Sequence, residues 1–97
     1  MDEAGVREAL RSVLDPELGL DIVSLGLVYR IEHDGDDVEV DLTMTTPACP
    51  LAESIREEAE RAITSAFPSA KPKVTLVWSP PWDARRLSAD AKEALGW

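Results

Sequence analysis

Leu27-Val28-Tyr29-Arg30-Ile31-Glu32-His33-Asp34-Gly35-Asp36-Asp37-Val38-Glu39-Val40-Asp41-Leu42-Thr43-Met44 is the stretch that decides the fold. Leu27, Tyr29 and Ile31 alternate with Val28, Arg30 and Glu32. Val38, Val40, Leu42 and Met44 alternate with Glu39, Asp41, Thr43 and Thr45. Successive side chains of a strand point to opposite faces, so each run predicts a strand with one buried face. Asp34-Gly35 lies between them, and both residue types tolerate the positive φ of a tight hairpin. The two strands are therefore expected to be antiparallel neighbours.

Outward from this hairpin the period changes. Val6, Ala9, Leu10, Val13 and Leu14 recur at helical spacing, with Asp2 as the N-cap and Asp15-Pro16 as the stop. Glu17 to Gly26 has two glycines and no clean period, which suggests an ordered loop. On the other side, Leu51, Ile55, Ala59, Ala62, Ile63 and Ala66 predict a second helix ending at Phe67-Pro68. Val74, Leu76 and Trp78 predict a third strand with Trp78 in the core, stopped by Pro80-Pro81. Ser88 is placed to cap a short last helix that closes at Gly96. The fold class expected is α+β: one compact α-β-β-α-β-α domain over residues 1–97, a small mixed sheet with helices packed on one face.

Composition bounds the function. The chain has 97 residues, 44% of them hydrophobic, and 19 acids against 10 bases leave a net charge of −9. Nucleic-acid binding relies on Lys and Arg to neutralise phosphate, so this balance speaks against nucleic acid and against anionic membrane surfaces. Nothing approaches the ~18 apolar residues of a membrane span. Met1-Asp2-Glu3 opens with neither a basic nor an apolar run, so no secretory signal is expected. One cysteine excludes an intrachain disulfide and fits a reducing, cytoplasmic setting.

The chemistry concentrates at Thr45-Thr46-Pro47-Ala48-Cys49-Pro50, where the second strand ends and the second helix begins. Pro is favoured at the first helical position. With Pro50 there, Cys49 becomes the N-cap. A thiolate at that place would accept backbone N–H bonds at the positive end of the helix dipole, and both effects lower its pKa. The hydroxyls of Thr45 and Thr46 add donors. The other reading is a buried, inert cysteine, since free Cys is among the most buried residue types.

Other chemistries find less support. His33 flanks the turn, at the far end of the strand from Cys49, so a Cys–His pair is rejected. Asp34-Gly35-Asp36-Asp37 lacks the bidentate Glu of a calcium loop. No CxxC, HExxH or GxxxxGK[ST] motif occurs. Asp15 and Glu17 flank Pro16; they are either exposed acids at a helix stop or acids turned toward Cys49. Trp82, after two prolines, suits covering the site or meeting a partner.

Three blocks carry a resemblance: Asp15-Pro16-Glu17-Leu18-Gly19 with Asp21-Ile22-Val23-Ser24-Leu25-Gly26-Leu27-Val28-Tyr29, then Thr43-Met44-Thr45-Thr46-Pro47-Ala48-Cys49-Pro50-Leu51, then Val77-Trp78-Ser79-Pro80-Pro81-Trp82. In this order they resemble the SufT/PaaD-like family of metal–sulfur cluster biosynthesis proteins, the iron–sulfur cluster assembly domain. The resemblance runs from Val6 to Gly96. It implies a compact α+β domain that helps mature iron–sulfur proteins. It also implies a site in which Cys49 is the thiol, Asp15 and Glu17 the assisting acids, and Thr45, Thr46 and Leu18 the binding surround. Implied partners are the iron–sulfur assembly machinery and apoprotein clients. A maturation subunit of the phenylacetate ring-oxygenase type is the alternative branch; its longer members add a cysteine-rich zinc-binding tail, and these 97 residues hold no second cysteine.

One cysteine cannot hold a cluster that takes four protein thiolates. The expectation is therefore no tightly bound cofactor but a transient iron–sulfur cluster contacted by Cys49. A homodimer would supply a second thiol. A non-enzymatic carrier fits better than an enzyme, because no general base accompanies the thiol. A protein-interaction adaptor with a structural Cys49 is the remaining alternative.

Overall fold

The computed structural model describes residues 2–46 and 50–97. Cys49 and the Pro47-Ala48 pair before it lie outside the described residues, as does Met1.

The chain opens with α1, Glu3–Leu10. Asp2 caps it as expected, its Oδ1 accepting from the Gly5 N–H at 2.7 Å. Val6 and Leu10 face the core. The helix ends five residues before Asp15-Pro16, earlier than the sequence suggests. The N–H groups of Arg11, Ser12 and Val13 reach back only three residues, to Glu8, Ala9 and Leu10. This tightening of the last turn rotates the chain off the helical stripe. Val13 stays buried, but Leu14 swings outward and is 53% exposed.

Next comes a small ladder inside the expected loop. β1, Leu14–Asp15, pairs antiparallel with β2, Leu20–Asp21. The main hairpin then forms from β3, Val28–Asp34, and β4, Asp37–Leu42, with Asp34 opposite Asp37. Gly35 sits between them at φ 60, the left-handed conformation that glycine takes without strain. Register slips between Val28 and Arg30. The bulge removes Tyr29 from the inward row, and its hydroxyl instead donates to the Pro80 carbonyl at 2.8 Å.

α2, Ala52–Ala66, leads to β5, Lys71–Leu76, which lies parallel to β4. Sheet order is β3-β4-β5, so the sheet is mixed, as expected. Central β4 contributes Val38, Val40 and Leu42 to the core. They meet Val6 and Leu10 of α1 and Ile55, Ala59 and Ile63 of α2 in one cluster. α1 and α2 thus cover one face of the sheet. The other face carries charge, including Arg30 paired to Asp41 at 2.9 Å and to Glu32 at 2.6 Å.

After β5 the chain crosses back. The Trp82 indole N–H donates to the Leu25 carbonyl at 2.6 Å, and the Arg86 guanidinium stacks 4.4 Å from the Tyr29 ring centre. A 3-10 turn, Ala84–Arg86, precedes α3, Ala89–Leu95. Ser88 Oγ caps α3 from the Ala91 N–H at 3.0 Å, and Gly96 closes it, both as expected. Trp78 departs from expectation: it is 42% exposed rather than in the core. β5 is an edge strand whose inward row ends with Val74 buried and Leu76 half-buried, so the core has thinned before the chain reaches Trp78. Trp82, by contrast, is half-buried against the core. No helix among the described residues is long and apolar enough to cross a membrane.

Candidate functional site

Three pieces of chain meet at one end of the sheet. β4 and β5 are parallel and joined by α2. The N-terminus of α2 therefore lies on the side where both strands end, which is where open α/β sheets place their ligands. Thr43 and Met44 continue past β4 as buried residues, and Thr45 and Thr46 follow half-buried. The Thr43 N–H donates to the Leu27 carbonyl and the Val77 N–H to the Leu42 carbonyl, each at 2.8 Å. Thr45, Thr46 and the exposed Trp78 are thereby carried out at the same sheet end. Residues 47–49, which follow Thr46 in the sequence, lie outside the described residues.

The α2 start differs in detail from the sequence expectation. Pro50 and Leu51 form a turn, the α-helix begins at Ala52, and Leu51 is the N-cap with no side-chain bond. Its carbonyl accepts the first helical bond, from the Ile55 N–H at 2.9 Å. Pro50 therefore precedes the helix instead of occupying its first position. The proline fixes the approach, while helical hydrogen bonding starts only where Leu51 offers its carbonyl. Leu51, assigned to the buried stripe by its spacing, is 40% exposed. The cap position expected for Cys49 is thus held by Leu51, two residues later, and Cys49 itself lies outside the described residues.

Across from α2 stands the Asp15-Pro16-Glu17 turn. A groove of about 510 Å³ runs between them, lined by Leu14 and Pro16 on one side and Leu51, Ser54, Ile55 and Glu58 on the other. The two motifs are 34 positions apart in the chain, counting from Asp15 to Cys49, yet their flanking residues share this groove. The acids have different environments. Asp15 is 2% exposed, and its Oδ1 accepts from the Glu17 N–H at 2.8 Å while its carbonyl accepts from the Gly19 N–H. An Asp side chain bonding the backbone two residues on is a turn former. Glu17 is exposed, and its carboxylate has no hydrogen bond or ion pair among the described residues. Leu18 is half-buried and packs on the core.

Asp21, which the sequence reading did not single out for the site, repeats the device of Asp15. Its Oδ2 accepts from the N–H groups of Val23 and Ser24 at 3.1 and 2.9 Å, and its carbonyl accepts from Leu25. Two Asp-headed turns in tandem thus position the loop before β3. The signal was present as an Asp followed four or five residues later by Gly, at Asp15/Gly19 and Asp21/Gly26. Among the described residues, no three of the His, Asp and Glu side chains gather where they could hold a metal ion.

Comparison with known proteins bears on the family and the fold. The family model described as iron-sulfur cluster assembly protein matches residues 3–76. The chain is 42% identical to the Fe-S protein maturation auxiliary factor YitW of Bacillus subtilis (strain 168), over 99% of this chain and 98% of that protein. It is 42% identical to the Fe-S protein maturation auxiliary factor SufT of Staphylococcus aureus (strain USA300), over 87% of this chain and 97% of that one. The crystal structure of a domain of unknown function, DUF59, from Bacillus anthracis superposes with a TM-score of 0.93 at 40% identity. That match covers 97% of this chain and 91% of the other. On the family match and on relatives aligned over nearly their whole length, the protein belongs to the SufT-like iron–sulfur cluster assembly family.

Proposed function

We propose that this protein is an accessory factor in iron–sulfur protein maturation, handing iron or cluster to apoproteins through Cys49. The observation that carries the reading is the convergence at the strand ends. Thr45 and Thr46 leave β4 there, α2 starts there, and Pro16 of the Asp15-Pro16-Glu17 turn lines the groove across from α2. Relatives of nearly equal length named as maturation auxiliary factors support the same role.

The donor set argues for passage rather than storage. A cluster normally takes four protein thiolates, and this chain offers one. The cluster is cargo here, completed by ligands from a donor, a client or a second copy of the chain. In this reading Glu17, whose carboxylate has no partner among the described residues, is the assisting acid, ligand or proton acceptor. Asp15 is a positioning residue, because its Oδ1 is spent on the turn. Thr45 and Thr46, half-buried at the β4 end, are assigned to the binding surround, and Leu18 anchors the acid turn to the core.

The test is maturation of a [4Fe–4S] reporter enzyme in cells lacking the protein and complemented with wild type, Cys49→Ser or Glu17→Gln. Cys49→Ser is expected to drop reporter activity to the uncomplemented level, and Glu17→Gln to lower it in part. Anaerobic reconstitution with iron and sulfide is expected to give a visible chromophore that requires Cys49. A Cys49→Ser protein that matures the reporter as well as wild type sinks the reading and leaves the adaptor role, for which the exposed apolar groove speaks.

A further inference from the structure

We propose that the groove between β1 and the first turns of α2 docks a protein segment that presents a bulky apolar side chain flanked by lysine or arginine. This rests on the maturation reading and names the chemistry by which a client or assembly protein is held.

The apolar part comes from Leu14 and Leu51. They are 53% and 40% exposed, and both line the groove with Pro16, over a floor that includes the buried Ile55. Neither opens by accident of a ragged surface. Leu14 is turned out by the tightened end of α1 and then held in the β1–β2 ladder. Leu51 is held at the N-cap of α2. A cavity of about 510 Å³ admits one or two side chains rather than a globular face. Contacts of that size belong to weak, transient encounters, which suits a factor that must release what it has served.

The charge comes from Glu58. α2 carries four carboxylates, and Arg56 gathers three of them: Glu53 at 2.7 Å, Glu60 at 3.2 Å and Glu57 at 3.9 Å. Glu58 lines the groove and has no cation among the described residues. Glu17, next to Pro16, is likewise unpaired among them. Glu58 in the lining, Glu17 beside Pro16 and a net charge of −9 together favour a basic partner at the groove. Complementary charge steers encounter and rejects acidic segments.

A phage-displayed random nonapeptide library selected on the wild-type protein tests this, with enriched sequences resynthesised and measured by fluorescence anisotropy. Expected winners carry a bulky apolar residue with Lys or Arg on either side. Leu14→Glu and Leu51→Glu should weaken them at least tenfold, and Glu58→Lys should shift the selected flanks to Asp and Glu. Circular dichroism checks folding of each variant; should Leu51→Glu fail to fold, the exposed Leu14 and Glu58 substitutions carry the test. No enrichment, winners without basic flanks, or binding indifferent to both Leu14→Glu and Glu58→Lys overturns the proposal. Sedimentation showing a dimer that Leu14→Glu abolishes would give the groove to a second copy and also overturn it. Peptide binding should survive Cys49→Ser, so failure of the groove and failure of the maturation role are separately visible.

Discussion

Gly26 shows how much one position can be asked to do. Its φ is 74, and a Cβ built there would lie 2.2 Å from the Arg86 carbonyl oxygen. The residue closes the turn headed by Asp21, where its N–H meets the Val23 carbonyl at 3.0 Å, and lets the chain after Trp82 pass directly over it. Gly35 has a similar φ of 60 but open space around it. Gly35→Ala should therefore cost only left-handed strain, about 1–2 kcal/mol. Gly26→Ala adds a backbone collision and should cost about 3 kcal/mol or more, among the larger effects of single substitutions. Urea unfolding of the two variants, side by side, checks the ranking. Both glycines are visible in the sequence, but the difference between them is not, because the Arg86 backbone comes from 60 positions away.

At the scale of elements, the hairpin and the capped helices were legible because their signals are local. Asp2 and Ser88 bond N–H groups three residues on, and a strand declares itself by alternation. β1 and β2 were not legible, since a two-residue ladder has no period to detect. The link between α2 and β5 was also hidden. β5 is an edge strand, and its Val74 N–H is satisfied by Glu60 Oε2 of α2 at 3.1 Å. Glu60→Ala removes that acceptor and a partner of Arg56. The expected cost is about 1–2 kcal/mol, the usual penalty for a buried donor left unpaired. Amide exchange should quicken at Val74 before it does at Val40 in the central strand, with a lower urea midpoint. Unchanged exchange at Val74 would show that water replaces the carboxylate there.

For the whole molecule, charge is the property that acts at a distance. Nine uncompensated negative charges repel one another in the compact state. Surface ion pairs such as Arg7–Glu3 at 3.3 Å and Arg11–Glu8 at 3.1 Å return little against this. Raising sodium chloride from about 0.01 M to 0.15 M shortens the screening length from about 30 to 8 Å. The melting temperature should rise by roughly 4–8 °C for each kcal/mol of repulsion removed. A calorimetric scan series in salt tests this, and a fall in melting temperature would mean that the ion pairs outweigh the net charge.

The sequence by itself determined the three helices, the main hairpin and the last strand, because period, caps and turn residues act within a few positions of one another. Its three motif blocks also determined the family. Tertiary structure alone decided which end of the sheet gathers Thr45, Thr46 and Trp78, that Leu14 and Leu51 stay open, and that Asp15 is held in its turn while Glu17 has no partner among the described residues. Those are outcomes of competition for neighbours across long stretches of chain. A helical stripe says that a residue can face the core; whether the core still has room for Trp78, or the end of α1 has already turned Leu14 away, depends on what else has packed there.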